Sequence, residues 1–339
     1  MKLNKYPKIY FGPMSKNIVD VLLDLSNTYP IGFIPSRRQV EHDGGYVNNW
    51  TSKQFFDYVK SRNNSCLVCR DHGGRLQGQQ TDNGDESIYQ DSLIGFDIIH
   101  VDPWKSFKTI SEVAKETSRV IKLCLSINKN VKFEIGTEEA IKHYTYQELE
   151  EFLFLVKEEL KEDFKSVVYV VVQLGTRIVG TKNTGSFDKI RAKKMIEVVK
   201  KFKLMSKEHN GDYLTEQDLA DRFSLGLDAI NIAPEFGTFE STLLVDYFVN
   251  NLEMKKLNTF FEICYKSNKW KKWIPQINRF NQFGQISFYD YLICKVSGHY
   301  LFSDEHVLRW KSDDLKIDFF IKKELKKRLS LVLQDAYKE

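Results

Sequence analysis

The sequence predicts an α/β fold, a closed (β/α)8 TIM barrel followed by a C-terminal helical extension. Three observations lead there. Short β-like runs alternate with amphipathic helical stretches, which implies βα units around a parallel sheet. Eight such units fit in the first 251 of 339 residues, the usual size of this barrel. No G-x-G-x-x-G follows a strand, so the open doubly wound alternative lacks its phosphate-binding signature.

The eight β-like runs are residues 8–12, 31–35, 66–72, 97–102, 131–136, 167–175, 204–209 and 229–234. Helical patterns lie between them at 15–26, 52–62, 110–128, 146–162, 188–202 and 215–223, and another at 238–251 follows the last strand. From residue 252 the pattern changes. Aromatics and lysines dominate and helical periodicity returns at 315–336, so residues 252–339 read as a helical extension packed on the barrel or on a partner subunit.

Whole-chain numbers narrow the classes. A hydrophobic fraction of 42% supports one large core, with or without a small appendage, and argues against disorder. No run of ~18 apolar residues is present, and MKLNKYPKIYFG lacks the apolar run of a signal peptide, so no membrane contact and a cytoplasmic location are expected. Five cysteines, an odd and sparse set, fit a reducing compartment. Cys66 and Cys69 form a C-x-x-C, but three positions apart on a strand their side chains face opposite ways, which suits buried thiols. Residues 252–339 hold 17 Lys and Arg against 11 Asp and Glu. The two signs are interspersed, as on a solvated helical surface, so no nucleic-acid partner is expected.

Strand parity assigns the inward faces. A barrel strand turns one side to the helices, and that side is uniformly apolar. In the fourth strand Ile99 and Val101 face out, sending Ile98, His100 and Asp102 inward. In the fifth, Val131, Phe133 and Ile135 face out, leaving Lys132, Glu134 and Gly136 inside. In the sixth, Val168, Val170, Val172 and Leu174 face out and Tyr169, Val171 and Gln173 face in. In the eighth, Asn231, Ala233 and Glu235 are left inside. Barrel interiors are normally filled with branched apolar side chains. A charged interior must be mutually paired or hold a ligand, because burying unpaired charge is costly.

The strand ends add more chemistry. The third strand ends Arg70-Asp71-His72 and enters GGRLQGQQTDNGDES, a long Gly-rich polar loop suited to be a lid. The second runs into Arg37-Arg38-Gln39 and Gly44-Gly45-Tyr46, where a guanidinium suits an anionic group. Parity with Gly32, Ile34 and Ser36 favours Arg38 as the one that reaches the cavity. The sixth leads into GTRIVGTKNTG, whose glycines and hydroxyls suit phosphate or sugar oxygens. Candidate substrate-binding residues are therefore Arg37, Arg38, Gln39, Gln173, Asn231 and Asp212. His72, His209 and His100, with Asp102 or Glu134, are candidate ligands of a divalent cation, zinc first and manganese or magnesium as alternatives. Such an ion stabilises an enediolate, and Asp71, Glu138 or Glu235 are candidates to move protons. Lys132 is a further catalytic candidate.

Six short motifs then fall in order along the barrel: Gln39-Val40 with Gly44-Gly45-Tyr46, Asp71-His72-Gly73, His100-x-Asp102, Ile135-Gly136-Thr137-Glu138, Val171-Val172-Gln173-x-Gly175, and His209-x-x-Asp212-Tyr213. On these, the chain resembles the non-catalytic (Z-type) subunits of class II D-tagatose-bisphosphate aldolase and their relatives, over residues 31–213. The resemblance implies a barrel related to zinc-dependent class II aldolases, in which an Asp-His pair at a strand end supplies a base and a metal ligand. Asp71 and His72 match that pair, and His209 a later ligand. Gly175 stands near where the catalytic enzymes carry another ligand histidine. Some relatives are thought to be metal-dependent sugar-acid epimerases.

Three functions follow. One is a metal-dependent lyase or epimerase acting on a phosphorylated or acidic sugar through an enediolate. Another is a stabilising subunit for a separate aldolase, as a homo-oligomer or with that partner. The third is a Schiff-base aldolase using Lys132 or Lys207.

Overall fold

A computed structural model describes residues 6–79, 81–136, 143–274 and 288–338. Eight parallel strands close into a barrel: β1 (Ile9–Phe11), β2 (Gly32–Phe33), β3 (Leu67–Gly73), β4 (Ile98–Val101), β5 (Lys132–Gly136), β6 (Val167–Val171), β9 (Met205–Glu208) and β10 (Ala229–Ile232). β1 pairs with β10, which completes the ring. β7 (Ile178–Val179) and β8 (Lys182–Asn183) form a separate antiparallel hairpin inside GTRIVGTKNTG.

The helices are α1 (Lys16–Leu25), α2 (Ser52–Arg62), α3 (Asp85–Ile94), α4 (Ile110–Ile127), α5 (Tyr146–Leu160), α6 (Lys189–Lys201), α7 (Glu216–Ser224) and α8 (Pro234–Asn250). Four start at threonine capping boxes, where Thr51, Thr109, Thr145 and Thr215 accept a backbone N–H and Gln54, Glu112, Glu148 and Asp218 return the bond. α3 begins inside the segment read from sequence as a lid loop. Its apolar residues do not gather on one face, which hides it from periodicity.

Beyond the barrel come α9 (Met254–Lys266), a 3-10 turn at Lys269–Lys272, α10 (Phe288–Ser297), a 3-10 turn at Gly298–Leu301, α11 (Glu305–Asp313) and α12 (Leu315–Tyr337). α12 packs against α1, α7 and α8, while α8 itself packs on α9, α10 and α12. α12 thus stands between α7 and α1 in the outer ring. Tyr337 fastens it there, donating to the Pro30 carbonyl (3.0 Å) and accepting from the Lys8 backbone N–H (2.8 Å). No helix among the described residues is long and apolar enough to cross a membrane.

Two apolar layers result. The larger lies between sheet and helices and includes Phe11, Phe33, Ile99, Phe133, Val170 and Ile230. The smaller plugs the barrel axis with Tyr10, Ile34, Cys69, Ile98, Tyr169 and Ala229. Gly32 is required here, since a Cβ at that position would lie 2.3 Å from Cδ1 of Tyr10. Cys66 belongs to the outer layer and Cys69 to the plug, on opposite faces as their spacing requires. Val168, expected to face out, packs on the plug instead, because the β5–β6 register shifts between Phe133 and Glu134.

Candidate active site

The site begins with an irregularity in β3. Neighbouring strand residues face opposite ways, so Asp71 and His72 cannot both face the axis on a regular strand. Between Arg70 and Gly73 the register against β4 slips: Arg70 pairs with Ile99 but Gly73 with Val101, three steps against two. His72 takes a φ of +83°, a left-handed conformation that non-glycine residues rarely adopt. The extra residue turns both side chains toward the axis. Arg70, just before, points into the helix layer and is fully engaged by Asp91, Ser52 and the carbonyls of Pro35 and Val40.

β4 adds His100, and His209 follows directly on β9. The three imidazoles form a triangle with centroids 4.9 Å (His72–His100), 4.9 Å (His100–His209) and 5.4 Å (His72–His209) apart. Asp71 Oδ1 lies 3.5 Å from His72 Nε2, 3.8 Å from His100 Nδ1 and 3.7 Å from His209 Nδ1.

Behind the triangle a second set of groups aims the rings. Asp102 Oδ2 bonds His72 Nδ1 at 2.7 Å, and the same oxygen accepts from Gln77 Nε2 at 3.0 Å. Glu134 Oε1 bonds His209 Nε2 at 2.5 Å, and its Oε2 accepts from Lys207 Nζ at 2.6 Å. The Lys207 ammonium sits 3.6 Å from the centre of the Tyr10 ring, so the ion pair rests on the aromatic plug. Burial alone would raise the pKa of Glu134. The Lys207 charge and His209 outweigh it and hold the carboxyl well below the ordinary range. Asp102 is likewise held low, its burial outweighed by His72 and His100. For Asp71 the same contest, burial against His72, His100 and His209, leaves a pKa of about 2. All three are therefore carboxylates at neutral pH.

This donor set fits a divalent ion. The ligand atoms of Asp71, His72, His100 and His209 all lie within 4.8 Å of one another. A tetrahedral site with bonds of ~2.1 Å has ligand-to-ligand edges of ~3.4 Å, close to the three separations around Asp71 Oδ1. Asp71 Oδ1 and His100 Nδ1 are buried and make no hydrogen bond among the described residues, a costly state that coordination would relieve. Three imidazole nitrogens and one carboxylate suit zinc or a similar first-row ion.

The barrel has solved counterparts. It is similar to a probable tagatose 6 phosphate kinase from Sinorhizobium meliloti 1021, at 15% identity and TM-score 0.75, covering 97% of this chain and 99% of that one. It is similar to fructuronate-tagaturonate epimerase UxaE from Cohnella laeviribosi, at 12% identity and TM-score 0.63, covering 96% of this chain and 83% of that one. It is also similar to a fructose-bisphosphate aldolase from Campylobacter jejuni, at 12% identity and TM-score 0.56, covering 98% of this chain and 90% of that one. At these identities the likeness is one of fold, and it extends through the C-terminal helices. No family model and no curated protein matches the sequence.

The remaining sequence candidates scatter. Asp102 and Glu134, expected as ligands, stand behind His72 and His209 because both are already bonded to the far nitrogens of those rings. Lys132 opens β5 level with Ile98, at the N-terminal end of the barrel away from the histidines. Glu235 lies in the first turn of α8, where it accepts from the Tyr213 N–H (2.6 Å) and pairs with Arg328 of α12 (2.7 Å). Asp212 accepts the N–H groups of Ala233 and Glu235 and so caps α8 rather than entering the cluster. Gln173 receives Tyr144 N and Arg191 Nη2. Gln39 is buried and receives Ser36 N. Arg37 is buried and spends its guanidinium on Glu41, Asp82 and the Gly74 carbonyl, pinning the segment after β3. Arg38 is exposed. Asn231 sits at the C-terminal end of β10 with its Oδ1 buried and without a hydrogen bond among the described residues. Glu138 lies outside the described residues. Sequence reasoning missed Gln77 and Lys105, which reach the site only through side-chain bonds between loops.

Proposed function

We propose that the chain is a divalent-metal-dependent enzyme that cleaves or epimerises a phosphorylated or acidic sugar through an enediolate. The observation that carries this reading is the four-donor cluster of Asp71, His72, His100 and His209 at the C-terminal mouth, where barrel enzymes do their chemistry. When bound, the ion supplies a Lewis acid for a carbonyl and its neighbouring hydroxyl.

In this reading the protein groups divide the work by depth. Asp102 and Glu134 fix the tautomers of His72 and His209, each turning the other ring nitrogen toward the centre. The buried Lys207 neutralises Glu134 and is held there, which argues against a Schiff-base nucleophile. Asn231 offers an acceptor to a substrate hydroxyl from the neighbouring strand. Asp71 serves as the fourth ligand, which leaves proton transfer at carbon to a group such as Glu138. The fold shared with an aldolase and a sugar-acid epimerase, and the motifs of the tagatose-bisphosphate aldolase subunits, support the substrate class. A role as the stabilising subunit of a separate aldolase is the alternative.

Elemental analysis of the purified chain tests the reading. About one zinc-like ion per chain is expected, falling at least ~10-fold in His72→Ala and His209→Ala. Incubation with sugar phosphates and uronates in D2O is expected to place solvent deuterium next to a carbonyl. A chain that takes up no divalent ion when titrated with zinc sinks the proposal. One that holds the ion but exchanges no substrate proton favours the subunit role.

A further inference from the structure

Behind each carboxylate that aims an imidazole stands a further group that holds the carboxylate. On one side this is Lys207, fully buried, whose amine meets Glu134 Oε2 at 2.6 Å. On the other it is Gln77. Its Nε2 donates to Asp102 Oδ2 at 3.0 Å, the same oxygen that bonds His72 Nδ1. Among the described residues, Asp102 Oδ1 has only the Trp104 N–H, at 3.3 Å. Besides the bond to His72, Gln77 therefore supplies the shorter of the two bonds that fix this carboxylate.

The backbone places Gln77 at a local cost. It is 6% exposed while its neighbour Leu76 is 42% exposed, the reverse of how an amide and an isobutyl group ordinarily partition. Leu76 takes a φ of +63°, a left-handed conformation that a leucine rarely adopts. Arg37 pins the chain on either side of this pair, through the Gly74 carbonyl and Asp82. Chemistry then sets the orientation of the amide. Lys105 Nζ has only hydrogens to give and meets Oε1, whereas the Asp102 carboxylate only accepts and meets Nε2. Both contacts demand the same rotamer, and the ammonium polarises the amide toward stronger donation.

We propose that Gln77 is a positioning residue for His72. It acts through Asp102, holding the carboxylate where it locks the His72 ring as the Nδ1–H tautomer, with Nε2 on the side of Asp71. Lys105 sets the orientation in which Gln77 can do so. The inference rests on the metal reading of the cluster and deepens it. His209 is aimed by groups of the barrel strands, Glu134 and Lys207, whereas His72 is aimed by a side chain of the segment that follows β3.

The test is 15N NMR of the metal-free chain labelled at histidine, in buffer alkaline enough for neutral imidazole. The parent is expected to show His72 as a single Nδ1–H tautomer. Gln77→Met keeps the length of the side chain but cannot donate, and it should move the His72 nitrogens toward the averaged shifts of a mixed tautomer. His209, held by Glu134, should not move, and this contrast separates positioning from a general loosening of the fold. Lys105→Met should shift His72 the same way by less, and add nothing in the Gln77→Met background, because the two act in series. In a zinc competition titration Gln77→Met should lose ~3–10-fold in affinity. His72 unmoved in Gln77→Met, His209 displaced as far as His72, or parent zinc affinity in that variant would each overturn the assignment. A parent that takes up no zinc sinks the metal reading alone, and the ring spectra still decide the role of Gln77.

Discussion

Asp102 and Glu134 show what one carboxylate does for an imidazole it does not replace. Each binds the nitrogen facing away from the triangle, and groups in that position typically contribute 10–100-fold to metal affinity. Asp102→Ala is therefore expected to weaken zinc binding by ~10–100-fold in a competition titration while leaving His72, His100 and His209 in place. Asp212 gives a second residue-scale prediction. Burial first, and the charge of Glu235 with it, raise its pKa to about 8. An acid protonated in the fold but ionised in the unfolded chain binds more protons when folded, so stability falls as pH rises from about 4 to about 8. Unfolding experiments across that window should show this slope in the parent and a flatter one in Asp212→Asn. Much of the residue level was legible from parity: His100, Asp102, Glu134 and Asn231 face inward as alternation demands. Parity says nothing of depth, and this is why Lys132 looked close to the chemistry. Nor does it see partners 93 residues away, such as Arg328, which engages Glu235.

At the scale of the element, the segment between β3 and α3 is held rather than loose. Arg37 binds both oxygens of Asp82 and the Gly74 carbonyl, with Glu41 closing the other side of the guanidinium. Removing a buried partner strands the opposite charge, so Arg37→Ala should cost on the order of 3 kcal/mol. Amide exchange should then accelerate between Gly73 and Gly84 ahead of the strands, whereas unchanged protection there would mean that other contacts hold the segment. From sequence this stretch was a lid and Arg37 a candidate for substrate. Its Gly content pointed to a loop, but nothing local announced that an arginine from the preceding strand end would staple it. The β7–β8 hairpin was hidden for a related reason: two-residue strands leave no periodicity to read.

For the molecule as a whole, the eight-strand count and strand positions were legible because β-like and helical runs alternate cleanly. The place of α12 was not, since amphipathicity identifies a buried face without naming what covers it. Ile321, Leu325 and Leu329 are fully buried where this helix meets the barrel. Leu329→Ala should cost about 2–5 kcal/mol. The loss should appear as one cooperative transition moved to lower denaturant, because α12 fills a position in the ring. A separate early transition for the C-terminal helices would contradict that arrangement.

The surplus residue in β3 makes the site sensitive to chain length as well as to side-chain identity. Deleting one residue between Arg70 and Gly73 would let the strand run in even register with β4 and remove the need for a left-handed backbone at His72. The shortened strand would be the more regular one, yet it would present either the carboxylate or the imidazole to the helices. In a population of variants, insertions and deletions here should separate thermal robustness from ion uptake, a trade that substitutions at the same positions need not impose.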